Sequence, residues 1–209
     1  MIEPRSHWEK IYTSKQPSEV SWYQPHLRLS LELFERAGVG QQDHIIDVGG
    51  GASTLVDDLL NRGYRNITVL DVSAQAIQIS KRRLGSEASA AKWIVDDVTH
   101  VTLPNGRYRL WHDRAVFHFL TKLEDRRAYI GQIHHALSPG GVVIISTFSV
   151  DGPRKCSGLR VCRYSAETLL AEFGDDFRLV ASHSENHLTP SNVTQAFVYC
   201  LFSLEEHDN

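Results

Sequence analysis

Residues 44–51 read His-Ile-Ile-Asp-Val-Gly-Gly-Gly, and a helix-like stretch from Leu55 to Leu60 follows before Gly63. An apolar run that closes on an acid and three glycines reads as a strand delivered into a tight turn at the start of a helix, because glycine lets the backbone reverse without Cβ interference. The same grammar returns at once. Residues 66–71 read as a second strand, and Ser73 is a good N-cap for a helix from Ala74 to Leu84. Further strands are expected over 92–95, 108–112 and 142–148, with a helix from Arg126 to Leu137 and a turn at Ser138-Pro139-Gly140-Gly141. Strands separated by helices imply parallel crossovers and an α/β layer fold.

Before this unit, a helix around His7 to Tyr12, a loop from Thr13 to Tyr23 and a second helix from His26 to Gly38 are expected to cap the sheet. After it, Ser165 to Thr168 fits the start of a helix reaching Phe173. Two strand candidates, Phe177 to His183 and Gln195 to Phe202, then pair as an antiparallel end to the sheet, and the tail from Glu205 to Asn209 reads as frayed.

Composition narrows the classes. A chain of 209 residues with 42% hydrophobic and 22% charged residues fits one soluble globular domain. With 22 basic against 25 acidic residues there is no overall positive field to hold a phosphate backbone, so general nucleic-acid binding is disfavoured. No apolar run approaches the roughly 20 residues that cross a bilayer, so no membrane association is expected. The amino terminus lacks a secretory pattern, and three cysteines, Cys156, Cys162 and Cys200, stand without metal spacing. A cytoplasmic location with reduced thiols and no metal is expected. Cys156 and Cys162 fall in a basic, glycine-rich loop that is either unremarkable or a substrate contact.

The acids at the strand ends carry the chemistry. A nicotinamide fingerprint needs Gly-x-Gly-x-x-Gly, but counting from Gly49 the third glycine's place is held by Thr54. Asp47, just before Gly49, Gly50 and Gly51, repels a phosphate and favours an ammonium or sulfonium. Asp71 ends the second strand, where a carboxylate accepts ribose hydroxyls. Asp96 or Asp97 ends the third, placed to accept from an adenine amine while the amide of Val98 donates to the ring. These groups line one crevice, since ligands in open α/β sheets bind beyond the carboxyl edge.

Asp47-Val48-Gly49-Gly50-Gly51, Asp71, Asp97 and Leu137-Ser138-Pro139-Gly140-Gly141 resemble the successive motifs of the class I S-adenosylmethionine-dependent methyltransferases. The resemblance implies a Rossmann-like three-layer sandwich whose seven-stranded, mostly parallel sheet ends on an antiparallel strand. It implies cap helices and a lid loop over 1–42 packed on a methyltransferase domain over 43–204. By the same resemblance Asp47 and the glycine loop hold the methionine portion, Asp71 the ribose, and Asp97 with Val98 the adenine of S-adenosylmethionine, which leaves as S-adenosylhomocysteine, with Val72 a further cofactor-binding residue. Ser53 departs from the pattern, since many members carry a further glycine there. The opening residues 7–12 and the ending from Phe177 to Phe202 resemble lysine methyltransferases of elongation factors. Trp111-His112-Asp113-Arg114 and Trp22 resemble thiopurine methyltransferase relatives.

The remaining expectations concern the acceptor. Trp22 is expected to fold over the cofactor. Asp113, after the fourth strand, orients the donor or an incoming amine, Arg114 pairs with a carboxylate, and His118 accepts a proton. Phe117 walls the acceptor pocket, or it and His118 are merely packed. The expected acceptor is a nitrogen, sulfur or oxygen nucleophile, on a small molecule in preference to a protein lysine. An adaptor that binds the nucleoside and catalyses nothing is the alternative.

Overall fold

A computed structural model describes residues 4–205. The chain opens with helices α1 (Pro4–Ser14) and α2 (Arg28–Arg36) and then runs β1 (Ile45–Val48), α3 (Leu55–Asn61), β2 (Ile67–Asp71), α4 (Ala74–Leu84), β3 (Ala91–Val95), β4 (Tyr108–Arg114), α5 (Leu123–Ala136) and β5 (Leu137–Phe148). A two-stranded hairpin, β6 (Lys155–Cys156) and β7 (Leu159–Arg160), precedes α6 (Ala166–Phe173), β8 (Phe177–Leu188) and β9 (Thr194–Leu204). Seven strands form one sheet in the order β3-β2-β1-β4-β5-β9-β8, with β9 antiparallel to β5 and β8.

Local chemistry sets the boundaries. Ser73 caps α4 by accepting from the Ala76 amide, and Gly85 stops that helix at φ 58°. Ser165 and Thr168 cap α6 reciprocally, and Gly174 ends it at φ 80°. Both faces of the sheet are covered. Leu29, Leu33 and Phe34 of α2 and Leu55 and Leu59 of α3 pack on one side, while Tyr129 and Ile133 of α5 and Leu169 and Phe173 of α6 pack on the other. β1 lies between β2 and β4, so consecutive crossovers leave in opposite directions there. That switch point opens a crevice at the carboxyl edge.

Three expectations need correction. Residues 138–141 are not a turn ahead of the strand. β5 begins at Leu137, pairs it with Tyr108, and resumes at Val142 opposite Leu110, so Gly140 at φ 64° makes an irregularity inside the strand. The basic, glycine-rich loop expected around Cys156 forms the β6–β7 hairpin, whose two-residue strands carry no readable alternation. Glu205 is held, with its amide bonded to the Asp176 carbonyl at 2.8 Å and its carboxylate 3.2 Å from Arg178; the remainder of the expected frayed tail lies outside the described residues.

Candidate active site

A pocket opens at the switch point, and Trp22, Asp47, Gly49, Gly50 and Arg114 line it with Tyr12, Gln24 and His112. Side chains alternate along strands, and Asp47 stands opposite His112, so Asp47, His112 and Arg114 all face one side of the sheet. His112 is the group that sequence reasoning missed. Its Nδ1 lies 2.7 Å from Asp47 Oδ1 and its Nε2 2.9 Å from the Ser30 hydroxyl of α2, and all three residues are buried. The signal was a polar residue inside an apolar strand, and the missing information was which neighbour it faces. One oxygen of Asp47 is thereby fixed, while Oδ2 is buried without a partner. An unpaired buried carboxylate oxygen is costly, so this one fits an incoming donor such as an ammonium.

The glycines serve these carboxylates. A Cβ at Gly50 would stand 2.2 Å from Asp47 Oδ2, one at Gly51 2.4 Å from Asp71 Oδ2, and one at Gly49 2.1 Å from the Val116 side chain. The turn is bare so that two acids and Val116 can pack on it.

Asp71 is buried, with Oδ1 accepting from the Ser73 amide at 2.8 Å and Oδ2 from the Gly51 amide at 3.0 Å. Burial pushes its carboxyl up to about 6 against the pull of those two amides, and the charges of Asp47 and Glu9 add to the rise. Each oxygen keeps a lone pair for a hydroxyl. Above it lies α1, whose Glu9 accepts from the Ala74 and Gln75 amides at 2.6 and 3.2 Å and so caps α4 from outside. Trp8 of α1 meets Trp22 edge-on at 5.6 Å and Phe119 at 5.0 Å, making an aromatic roof. Val72 is half-buried beside Asp71. Farther along the edge Asp96 is exposed, Asp97 is half-buried with Oδ1 accepting from the Thr99 amide and hydroxyl, and Val98 is buried.

The acceptor-side expectations fare differently. Asp113 faces away from the pocket, and its carboxylate accepts from the amides of Val116 at 2.7 Å and Phe117 at 3.0 Å and from the Tyr129 hydroxyl at 2.6 Å. Burial raises its carboxyl to about 6, and those donors oppose the rise. It holds the turn in which Ala115 adopts φ 72°, so it neither orients a donor nor meets an amine. Phe117 packs on Tyr129, Tyr164 and Phe173 under the α5–α6 face, not on the pocket. His118 is fully buried between Phe119 and Phe148, and its Nδ1 accepts from the Phe148 amide at 3.3 Å. That bond leaves the proton on Nε2, which has no partner, so the ring is not placed to take a proton. Trp22 lies in the roof and gives its carbonyl to Arg114 at 2.8 Å. Cys156 and Cys200 are buried, and burial pushes their thiols up to about 11 and about 12. They are poor nucleophiles.

Desolvation first, and Arg114 second, lower the His118 pKa to about 3 from 6.5. The unfolded chain takes up a proton through this range and the folded chain does not. The stability His118 contributes is therefore full above the unfolded value and is lost as pH falls toward about 3. His118→Phe is expected to lessen acid destabilisation by up to roughly 3 kcal/mol near pH ~4, read as the shift in urea midpoint relative to neutral pH. Equal acid sensitivity in the two proteins would count against it.

A family model described as a methyltransferase domain matches residues 45–141. The chain is 21% identical over 190 residues to the human protein named EEF1A lysine methyltransferase 2, covering 84% of this chain and 75% of that one. To the mouse protein named eEF1A lysine and N-terminal methyltransferase it is 22% identical over 138 residues, 66% of this chain but only 19% of its relative. A solved structure described as "Conversion of a Disulfide Bond into a Thioacetal Group during Echinomycin Biosynthesis" superposes with a TM-score of 0.78 at 20% identity, covering 98% of this chain and 94% of that one. No described helix is long and apolar enough to cross a membrane, and no cluster of metal-ligating side chains occurs among the described residues.

Proposed function

Because the chain is a class I S-adenosylmethionine-dependent methyltransferase by its domain and its fold, we propose that it passes the methyl group to a small molecule arriving as a ready nucleophile. The donor supplies a methyl on a sulfonium, an electrophile already activated, and leaves as S-adenosylhomocysteine. The buried, unpartnered Oδ2 of Asp47 on the pocket wall is the observation that carries the donor half. Asp47 takes the ammonium of the methionine portion, His112 and Ser30 hold Asp47 in place, Asp71 with Val72 takes the ribose, and Asp97 with the Val98 amide takes the adenine. Trp8 and Trp22 exclude water above.

The acceptor half rests on the roof. The loop at residues 21–24 is fastened to the edge strand β8 by His187 on the Ser21 carbonyl at 2.7 Å and Gln24 on Glu185 at 2.9 Å, and to the central strand β4 by Arg114 on the Trp22 carbonyl. A protein lysine, as the human relative's name suggests, asks for an open approach, whereas a roofed pocket suits a small molecule. Once Asp47 holds the ammonium, none of the described lining residues is left as a free base. Both nitrogens of His112 are bonded, and burial first, with the Asp71 charge second, drives the Tyr12 hydroxyl far above its ordinary value. Acceleration then comes from holding the nucleophile in line with the methyl group, and a thiolate or a neutral amine meets that requirement without proton removal. An oxygen acceptor meets it less well.

Incubation with methyl-labelled donor and a cell extract tests both halves. Label in the small-molecule fraction is expected. Label in protein would restore the lysine acceptor, and tight donor binding without transfer would favour the adaptor.

A further inference from the structure

Two buried groups of opposite charge line the pocket with bonds unmade: Asp47 Oδ2 and Arg114 Nη2. The Arg114 side chain is 6% exposed. Its Nε donates to the Tyr199 hydroxyl at 2.8 Å, its Nη1 donates to the Trp22 carbonyl at 2.8 Å, and the guanidinium lies over the Phe197 ring at 5.1 Å. Glu185 Oε2 stands 3.8 Å from Nη2, beyond hydrogen-bond reach, and already accepts from Tyr199 at 2.8 Å, while Gln24 donates to Oε1. The arginine therefore keeps its charge partner but has donors to spare. Asp47 and Arg114 share one face of adjacent strands, with His112 opposite Asp47 and Arg114 two residues beyond it.

We infer that Arg114 Nη2 receives the α-carboxylate of S-adenosylmethionine while Asp47 Oδ2 takes the α-ammonium, so that the two form a clamp for the amino-acid zwitterion. This rests on the donor reading above. An α-amino acid carries both charges on one carbon and brings one acceptor and one donor to a pocket that lacks one of each. A methyl acceptor bearing a carboxylate alone would satisfy Arg114 and leave Asp47 unpaired. The clamp also links cofactor and roof, since the guanidinium that meets the carboxylate holds the Trp22 carbonyl.

Removing one charge of the ligand at a time tests this with calorimetric binding to the intact protein. In the wild-type protein, S-adenosylhomocysteine is expected to bind about 10- to 100-fold more tightly than its decarboxylated analogue, the range for a lost hydrogen bond between charged groups. Arg114→Gln is expected to weaken S-adenosylhomocysteine by a similar factor and to leave the decarboxylated analogue within about twofold. Equal weakening of both ligands would make Arg114 a support for the roof only, and no weakening of either would remove it from the cofactor. Either result overturns the inference, as does an unchanged donor affinity with a raised acceptor KM. If Arg114→Gln does not fold, the wild-type comparison decides, and equal affinities overturn the inference. Failure of every adenosyl ligand to bind would instead sink the donor reading itself.

Discussion

Asp47→Asn is expected to weaken S-adenosylhomocysteine binding about 100-fold, with the thermal midpoint near that of the wild-type protein. Asparagine keeps the shape, and its oxygen can still accept from His112, so the chain Ser30–His112–47 survives. The lost element is negative charge on Oδ2, where the side chain has no partner of its own. Removing one member of a buried, hydrogen-bonded charge pair costs about 2–5 kcal/mol, which sets the magnitude. Calorimetric titration reads the dissociation constant directly, and an unaltered value would take Asp47 out of the donor site. The same variant should weaken the decarboxylated analogue, which keeps its ammonium, and spare 5′-methylthioadenosine, which has neither group.

Asp113→Ala is expected to fail differently, in folding. Three donors converge on that carboxylate within 3.0 Å, from Val116, Phe117 and Tyr129. Alanine strands all of them in the core, at about 1–3 kcal/mol each. Set against the roughly 5–15 kcal/mol that holds a domain together, the urea midpoint should fall steeply or the protein should be largely unfolded at 25 °C. Whatever folded fraction remains should bind the donor within about threefold of the wild-type protein, because Asp113 lies outside the pocket. A stable variant with lost donor affinity would return Asp113 to the site.

These two aspartates show what was legible in the sequence and what was not. The local syntax carried far: Asp47 before three glycines, Ser73 as a cap and a helix from Ala74 to Leu84 are decided within a few residues, and the structure places all of them as expected. The direction of a side chain at the end of β4 was not legible. His112, Asp113 and Arg114 are neighbours in sequence, yet alternation sends Asp113 under the sheet and the other two above it. Which parity faces the pocket depends on register with β1, a property of two strands. Glu9 capping α4 and Ser30 bonding His112 were hidden for a similar reason, since each joins a helix before the sheet to a group far along the chain. The bulge inside β5 was hidden because Ser-Pro-Gly-Gly carries the same turn signal whether it ends a strand or interrupts one.

The hydrogen-bonded chain from Ser30 through His112 to Asp47 bears on how such a molecule can drift. Position 30 sits on an outer helix and never touches the pocket, yet an alanine there would free the imidazole to turn and loosen the acid it steadies. Three sites scattered over some eighty positions of primary sequence thus act as a set, and a designer moving this scaffold to a new acceptor would have to carry all three or none.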